Sequence, residues 1–207
     1  KKFEATVRCC TQNGVRGGSA TVHFPIWHQE IEDILVLKNN KGTEDNRVRK
    51  LDYSIQISKL FYERFIKNED ITLFSPNNTP GLYEAFGMPE FDELYLKYEK
   101  DKSIPKSTVG AQELFMDLLK ERAETGRIYI MNIDHCNTHS SFKDRVYMSN
   151  LCQEITLPTD PIQHIDQEGE IALCILSAIN VGLIDKRDEL EPLCDLAVRA
   201  LDEIIDH

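Results

Sequence analysis

The chain has 207 residues, of which 41% are hydrophobic and 29% charged, and it carries a formal net charge of −11. This composition is typical of a soluble globular protein, whereas the acidic balance argues against a nucleic-acid or membrane-surface binder, which needs clustered Lys and Arg. Since no apolar run approaches the ~20 residues of a transmembrane helix and no signal peptide is recognisable, we expect a cytoplasmic protein.

Helix-like and strand-like patterns alternate along the chain. The spacing of apolar residues predicts helices over 1–10, 27–37, 59–67, 89–98, 109–123 and 190–205. It predicts strands over 20–25, 52–58, 71–74, 127–133 and 171–175, with a polar linker at 100–108. Strands separated by helices indicate an α/β architecture with mainly parallel strands. Both ends interrupt a helical pattern, so we expect a segment of a larger protein.

A glycine-rich loop follows the first predicted helix, with Gly14, Gly17 and Gly18 falling within five residues. Such a loop lets backbone amides approach a ligand closely. Arg16 adds a planar guanidinium suited to phosphates or base edges. The spacing matches neither the P-loop nor the dinucleotide fingerprint, so the residues alone favour a mobile turn between two elements.

A thiol, a carboxylate and a carboxamide occur together at Asn150, Cys152 and Glu154. In an extended segment these three side chains point to the same side. A neighbouring carboxylate raises the pKa of a thiol, so this is a poor arrangement for a thiolate nucleophile. One-electron chemistry at sulfur, with the carboxylate as general base for a substrate hydroxyl, fits the group better. A chance surface turn is the alternative.

The remaining cysteines have simpler interpretations, and without a secretory signal we expect reduced thiols. Asp134, His135, Cys136 and His139 suggest zinc, but no second CxxC or HxxxH completes a four-ligand set. We therefore expect no metal site there, only a loop after a strand. Cys174 lies in a predicted strand, where a cysteine is usually inert core filler.

Seven stretches, in order along the whole chain, resemble the catalytic large subunit of class I ribonucleotide reductase, above all the enterobacterial and T-even phage enzymes. They are CTQNGVRGG at 10–18, VLKNN at 36–40, TLFSP at 72–76, GRIYI at 126–130, DHCNTH at 134–139, SNLCQEI at 149–155 and GEIALC at 169–174.

The resemblance implies a segment of a ten-stranded α/β barrel, in which two five-stranded parallel halves run antiparallel to each other around a central finger loop. Residues 1–207 would form a partial catalytic barrel domain. Within it, 1–139 would be the later part of the first half-barrel, 140–157 the finger loop and 158–207 the start of the second half-barrel.

The same resemblance implies roles for individual residues in the reduction of ribonucleoside diphosphates to deoxyribonucleotides. Cys152 would carry the thiyl radical that abstracts the substrate 3′ hydrogen. Glu154 would take the 3′-hydroxyl proton, and Asn150 would bond the ribose hydroxyls. Cys174 would be one half of the redox-active thiol pair, its partner lying before residue 1.

The glycine-rich loop at 11–19 resembles the loop that transmits specificity between an effector site and the substrate base. Gln12 and Arg16 match the positions that contact the base. Gly17 and Gly18 would permit the loop to rearrange with the effector. The resemblance therefore favours a functional loop over the mobile turn.

Partners follow from the family as well. They are the remaining large-subunit sequence, a radical-generating di-iron small subunit, nucleoside triphosphate effectors and a dithiol reductant, thioredoxin or glutaredoxin. We expect no cofactor on this segment itself and no reductase activity from it alone. A non-catalytic assembly piece of a split subunit is the alternative, and a zinc-binding module is a remote third.

Overall fold

The computed structural model describes residues 1–159, 164, 166 and 168–206. They belong to two compact units, residues 1–160 and 161–207. The strands are β1 Thr11–Gln12, β2 Arg16–Gly17, β3 Thr21–Pro25, β4 Asp52–Ile57, β5 Asp70–Phe74, β6 Lys106–Gly110 and β7 Ile128–Asn132. The helices are α1 Lys2–Cys9, α2 Ile31–Leu35, α3 Lys59–Lys67, α4 Leu82–Ala85, α5 Phe91–Lys100, α6 Ala111–Thr125, α7 Ile133–Thr138 and α8 Leu190–Ile205.

A parallel sheet of β3, β4 and β7, with β4 in the middle, organises the first unit. Ser54 of β4 is in register with His23 of β3 and with Tyr129 of β7. Parallel neighbours require crossover connections, and helices α3 and α6 lie in the connection from β4 to β7. The parallel α/β prediction is confirmed for this sheet.

The two faces of this sheet differ in chemistry because side chains alternate along each strand. One face carries buried Ile55, Ile57 and Ile128, which share a hydrophobic core with Phe61 of α3 and Leu118 of α6. The opposite face, called the polar face below, carries the alternate side chains of the three strands. They are Thr21, His23, Pro25, Asp52, Ser54, Gln56, Tyr129 and Met131.

Two antiparallel pairs complete the strands of the first unit. β5 pairs with β6, and β1 pairs with β2 as a short hairpin. The linker predicted at 100–108 is therefore partly wrong, because Lys106–Gly110 is a strand. Its residues are mostly exposed and polar, so the segment lacks the hydrophobic pattern of a buried strand. It is a strand because its main chain pairs with β5.

The helix predicted at 27–37 is shorter than expected. Only Ile31–Leu35 is helical, while Trp27 instead accepts a main-chain hydrogen bond from Phe74 at 2.8 Å. Trp27 is fully buried against Phe86 in an edge-to-face contact. Tertiary packing of this ring thus replaces the first helical turns that the spacing suggested.

The second unit contains α8 and two 3₁₀ turns at Val181–Leu183 and Arg187–Glu189. The helix has the predicted ends. The strand predicted at 171–175 is wrong for the described structure, since these residues have no regular secondary structure. A strand requires a paired neighbour for its main-chain groups, and none is seen for 171–175 among the residues that the structure describes.

No described helix is both long enough and apolar enough to span a bilayer.

Candidate functional site

Residues 149–155, called the thiol turn below, reverse the chain direction above the polar face. The Gln153 N–H donates to the Asn150 carbonyl at 3.2 Å, and the Asn150 N–H donates to the Ile155 carbonyl at 3.4 Å. Gln153 has a positive φ of 62°. Cys152 therefore lies at the tip of a tight turn, and the extended geometry considered from the sequence is not the one adopted.

The three side chains singled out in the sequence have different environments in this turn. Cys152 and Glu154 are exposed, whereas Asn150 is half-buried. The Asn150 Oδ1 accepts a hydrogen bond from the Ile155 N–H at 3.0 Å, so its carboxamide oxygen stabilises the turn. The thiol and the carboxylate remain accessible to a ligand.

Each of the three parallel strands holds the thiol turn by one hydrogen bond. The Thr21 hydroxyl of β3 donates to the Leu151 carbonyl at 2.5 Å. The Ser54 hydroxyl of β4 donates to the Gln153 Oε1. The Gln153 Nε2 in turn donates to the Ile130 carbonyl of β7 at 2.7 Å. The sheet thus holds the residues on both sides of Cys152, Leu151 by its main chain and Gln153 by its side chain.

The segment leading into the turn is also attached to the sheet. The Gln56 Nε2 donates to the Tyr147 carbonyl at 2.5 Å. Asn137 of α7 makes a pair of hydrogen bonds with the main chain of Val146, at 2.9 and 3.0 Å. Val146 itself is fully buried. The thiol turn is therefore approached by a chain segment of defined position.

Tyr129 on β7 experiences the charges of the thiol turn. Burial raises the pKa of its hydroxyl, and Cys152, Asp52 and Glu154 act in the same direction, while Arg127 opposes them. The phenol therefore stays protonated at neutral pH, when it can donate a hydrogen bond but carries no charge.

His23 on β3 is a half-buried titratable group of the polar face. Burial lowers the pKa of its imidazole, and the Ser149 main chain opposes this by raising the pKa. The contact with Ser149 does not have the geometry of a hydrogen bond. Within residues 1–159, neither ring nitrogen has a hydrogen-bond partner. The neutral imidazole thus lies directly beneath the start of the thiol turn.

The glycine-rich loop forms the β1–β2 hairpin, in which Gln12 and Arg16 are cross-strand partners. Asn13 and Gly14 at its tip have φ values of 51° and 71°, a conformation that these two residue types tolerate best. Arg16 is exposed. The hairpin register brings the two predicted base-contacting positions side by side.

The two glycines after Arg16 differ in their surroundings. A Cβ at Gly18 would lie 2.2 Å from the Val7 carbonyl oxygen and 2.3 Å from that of Cys10, so only glycine fits against the end of α1. A Cβ at Gly17 would meet nothing within 4 Å. Gly18 is therefore required for packing, while Gly17 leaves the loop main chain open on one side.

Cys174 belongs to the second unit, where it is exposed and has no regular secondary structure around it. The interpretation as buried core filler is wrong for this thiol in the described structure. All six cysteines are free thiols.

The residues after β7 form helix α7 instead of the predicted loop. Burial raises the pKa of the Cys136 thiol, and the Asp134 charge adds to the shift. The Asp134 Oδ2 accepts the Lys59 N–H at 2.5 Å, which satisfies a main-chain donor at the start of α3. In the part of the chain that the structure describes, no three His, Cys, Asp or Glu side chains are grouped to hold a metal ion.

An open pocket of about 360 Å³ adjoins the thiol turn. Its wall includes Gln153 and Thr156 on one side and His135, Cys136 and His139 of the α7 region on the other. The pocket thus brings the DHCNTH and SNLCQEI stretches, which are separate in sequence, to one location.

Sequence reasoning missed the residues that hold the turn: Thr21, Ser54 and Gln153. A signal was present in β4, where Asp52, Ser54 and Gln56 alternate with apolar residues. That alternation predicts one polar and one apolar face. Nothing local, however, indicates which segment covers the polar face.

The chain is similar to proteins of a known family. The family model described as "Ribonucleotide reductase, barrel domain" matches residues 1–207. The chain is 60% identical over 213 residues to the ribonucleoside-diphosphate reductase subunit alpha of Haemophilus influenzae, which covers all of this chain and 28% of that protein.

Two further relatives are similar. The subunit alpha of ribonucleoside-diphosphate reductase 1 of Escherichia coli is 59% identical over 167 residues, 78% of this chain and 22% of that protein. The subunit alpha of Enterobacteria phage T4 is 45% identical over 215 residues, all of this chain and 28% of the phage protein. The chain spans less than a third of the length of these relatives, and it belongs to the ribonucleotide reductase barrel domain family.

Proposed function

We propose that this chain is the part of a ribonucleoside-diphosphate reductase large subunit that carries the radical-forming thiol. The observation that supports this most directly is the thiol turn, in which an exposed Cys152 is held over a polar sheet face by all three parallel strands. Turnover by the complete enzyme would convert ribonucleoside diphosphates to deoxyribonucleotides.

In this proposal the barrel has ten strands and the thiol turn is the tip of its finger loop. Residues 1–139 contribute the later part of the first half-barrel, 140–157 the finger and 158–207 the start of the second half. The parallel β3–β4–β7 sheet and the attachment of the turn to it support the first two assignments.

The chemistry is assigned to three side chains of the thiol turn. A thiyl radical on Cys152 takes the 3′ hydrogen atom of the substrate, which leaves a thiol and a carbon radical. Glu154 accepts the 3′-hydroxyl proton, for which its exposed carboxylate is suited. Asn150 bonds the ribose hydroxyls with the part of its carboxamide that does not serve the turn.

Reduction of the substrate requires two electrons in addition to the radical. Cys174 and a thiol outside this chain supply them: the two thiols become a disulfide, and the 2′-hydroxyl of the substrate leaves as water. Cys152 then returns its hydrogen atom to the 3′ carbon and is a thiyl radical again. The exposure of Cys174 supports its access to an external dithiol such as thioredoxin or glutaredoxin. Free thiols throughout suit the reducing conditions of the cytoplasm.

Selection of the substrate base is assigned to the β1–β2 hairpin. Gln12 and Arg16 contact the base, and nucleoside triphosphate effectors act through the rearrangement of the loop that contains Gly17 and Gly18. The radical would come from a di-iron small subunit, so this chain needs to bind no cofactor of its own. The hairpin ends four residues before Thr21, which touches the thiol turn.

The test is Cys152→Ser in a complete large subunit that contains this sequence, assayed with its small subunit for nucleoside diphosphate reduction. We expect turnover to be abolished, because a hydroxyl cannot replace the sulfur radical. Cys9→Ser, at another exposed cysteine, serves as the control and should retain turnover. The 207-residue chain alone should be inactive.

Retained turnover in Cys152→Ser would remove the basis of the proposal. It would favour the alternative, a non-catalytic assembly piece of a split subunit. The exposed apolar residues of α8 support this alternative, because they could pack against another polypeptide. In that case the chain should still form a stoichiometric complex with the polypeptides that supply the rest of the barrel.

A further inference from the structure

Gln153 connects the thiol turn to two neighbouring strands through a single side chain. Its Oε1 accepts from the Ser54 hydroxyl of β4, and its Nε2 donates to the Ile130 carbonyl of β7 at 2.7 Å. Both ends of one carboxamide are therefore occupied. Rotation of the side chain would break both contacts.

The main chain of Gln153 adopts a conformation that favours glycine. Its φ of 62° lies in the left-handed region, which is unfavourable for a residue with a Cβ. This conformation reverses the chain immediately after Cys152. Contacts elsewhere must offset its cost, and the two carboxamide hydrogen bonds are adjacent to it.

Ser54 is suited to hold Gln153 because it is completely buried, with 0% of its surface exposed. A buried hydroxyl that loses its partner is destabilising, since no water replaces the hydrogen bond. Ser54 is on the central strand of the sheet, which is paired on both sides. The anchoring point for Gln153 is thus among the most constrained positions of the first unit.

We propose that Gln153, through Ser54 and the Ile130 carbonyl, is a positioning residue that sets the location of the Cys152 sulfur. The inference rests on the proposed function, in which that sulfur removes a hydrogen atom from substrate. Transfer of an atom between two centres requires close and correct placement, and a misplacement of 1 Å can lower a rate about a hundredfold. Gln153 itself does not touch the substrate.

The test uses the complete large subunit with its small subunit and a nucleoside diphosphate substrate. Gln153→Met keeps an unbranched side chain of similar size and removes both hydrogen bonds. We expect kcat to fall about ten- to a hundredfold, while KM stays within about twofold, because binding of the base and phosphates does not involve this residue. The 3′-deuterium isotope effect on kcat should increase as hydrogen abstraction becomes slower.

Two more variants identify the cause of such a loss. Gln153→Gly removes the cost of the positive φ together with the side chain. If the side-chain contacts position the sulfur, it should be as impaired as Gln153→Met, and recovery of kcat in the glycine variant would overturn the proposal. Ser54→Ala removes the β4 contact alone, and combined with Gln153→Met it should lower kcat no further than Gln153→Met does.

Tyr95→Phe is the control for a general loss of stability. The Tyr95 hydroxyl is buried, accepts from the N–H of Thr72 and donates to its carbonyl, both at 2.7 Å, and Thr72 is in β5, outside the sheet that holds the thiol turn. This variant should lower the thermal midpoint without changing kcat or the isotope effect. A kcat that falls in step with the thermal midpoint across all variants would overturn the positioning role.

Failure of this inference can be distinguished from failure of the proposed function. If Cys152→Ser is inactive and Gln153→Met retains normal kcat, the radical assignment is correct and the positioning role is wrong. If Cys152→Ser is active, both are wrong.

Discussion

At the residue scale, His23 should make folding stability depend on pH. Burial lowers the pKa of the folded-state imidazole below its usual 6.5, so the unfolded chain binds the proton first as the pH falls. Stability is then fully present above about pH 6.5 and decreases as the pH drops towards the folded-state pKa. The loss cannot exceed about 1.4 kcal/mol per pH unit for one proton.

His23→Phe removes this group while keeping a planar ring of similar size. We expect the variant to be more stable than the original at pH 7.5, by about 1 kcal/mol, because two buried nitrogens without partners are removed. Between pH 7.5 and 5.5 it should lose less stability. Urea unfolding at the two pH values measures both effects, and His28, whose pKa burial also lowers, is present in both proteins. Equal losses would contradict the assignment to His23.

At the element scale, an ion pair connects α3, α5 and β5. The Arg64 guanidinium donates twice to the Glu99 carboxylate, both at 2.6 Å, and the Thr72 hydroxyl donates to the same carboxylate at 2.6 Å. The side chains of Arg64 and Glu99 are only 12% and 25% exposed. Because water screens this pair little, it contributes more than a surface pair.

Arg64→Met should therefore destabilise the first unit by about 2 kcal/mol, since a half-buried carboxylate is left without its cation. Lys41→Met is the matched control. Lys41 pairs with Glu124 at 3.5 Å, with side chains 63% and 43% exposed, and its loss should cost less than about 0.5 kcal/mol. The midpoint of urea unfolding gives both values. Similar costs for the two variants would show that burial does not distinguish the pairs.

At the scale of the whole molecule, the described part of the second unit has no core of its own. None of its described residues is buried, and Leu196 and Ile204 of α8 remain 62% and 57% exposed. An isolated helix of 16 residues is only marginally stable in water, and tertiary packing supplies most helical stability. The stability of α8 should therefore depend on sequence outside this chain.

Hydrogen exchange measures this dependence. In the 207-residue chain alone, the α8 amides should exchange about a hundredfold faster or more than the β4 amides, whose strand is central and buried. In a complete large subunit, the α8 amides should become protected while those of β4 change little. Strong protection of α8 in the chain alone would contradict this expectation.

The sequence by itself determined the elements whose cause is local. The ends of α3 and α8 were predicted correctly, because amphipathic spacing is a property of neighbouring residues. The glycine at the end of α6, Gly126 with a φ of 67°, was predicted for the same reason. The barrel family was also recognisable from short stretches in their order, and the family match confirms it.

Tertiary structure decided what the sequence could not. Strand β6 exists because β5 pairs with it, and residues 171–175 form no strand because no described neighbour pairs with them. Asn150, Cys152 and Glu154 were predicted from the sequence as a candidate site, yet the turn that presents Cys152 depends on Ser54, 99 residues before Gln153. Periodicity specifies which side chains share a face, but long-range contacts alone specify what covers that face, since burial and hydrogen bonding are satisfied between segments.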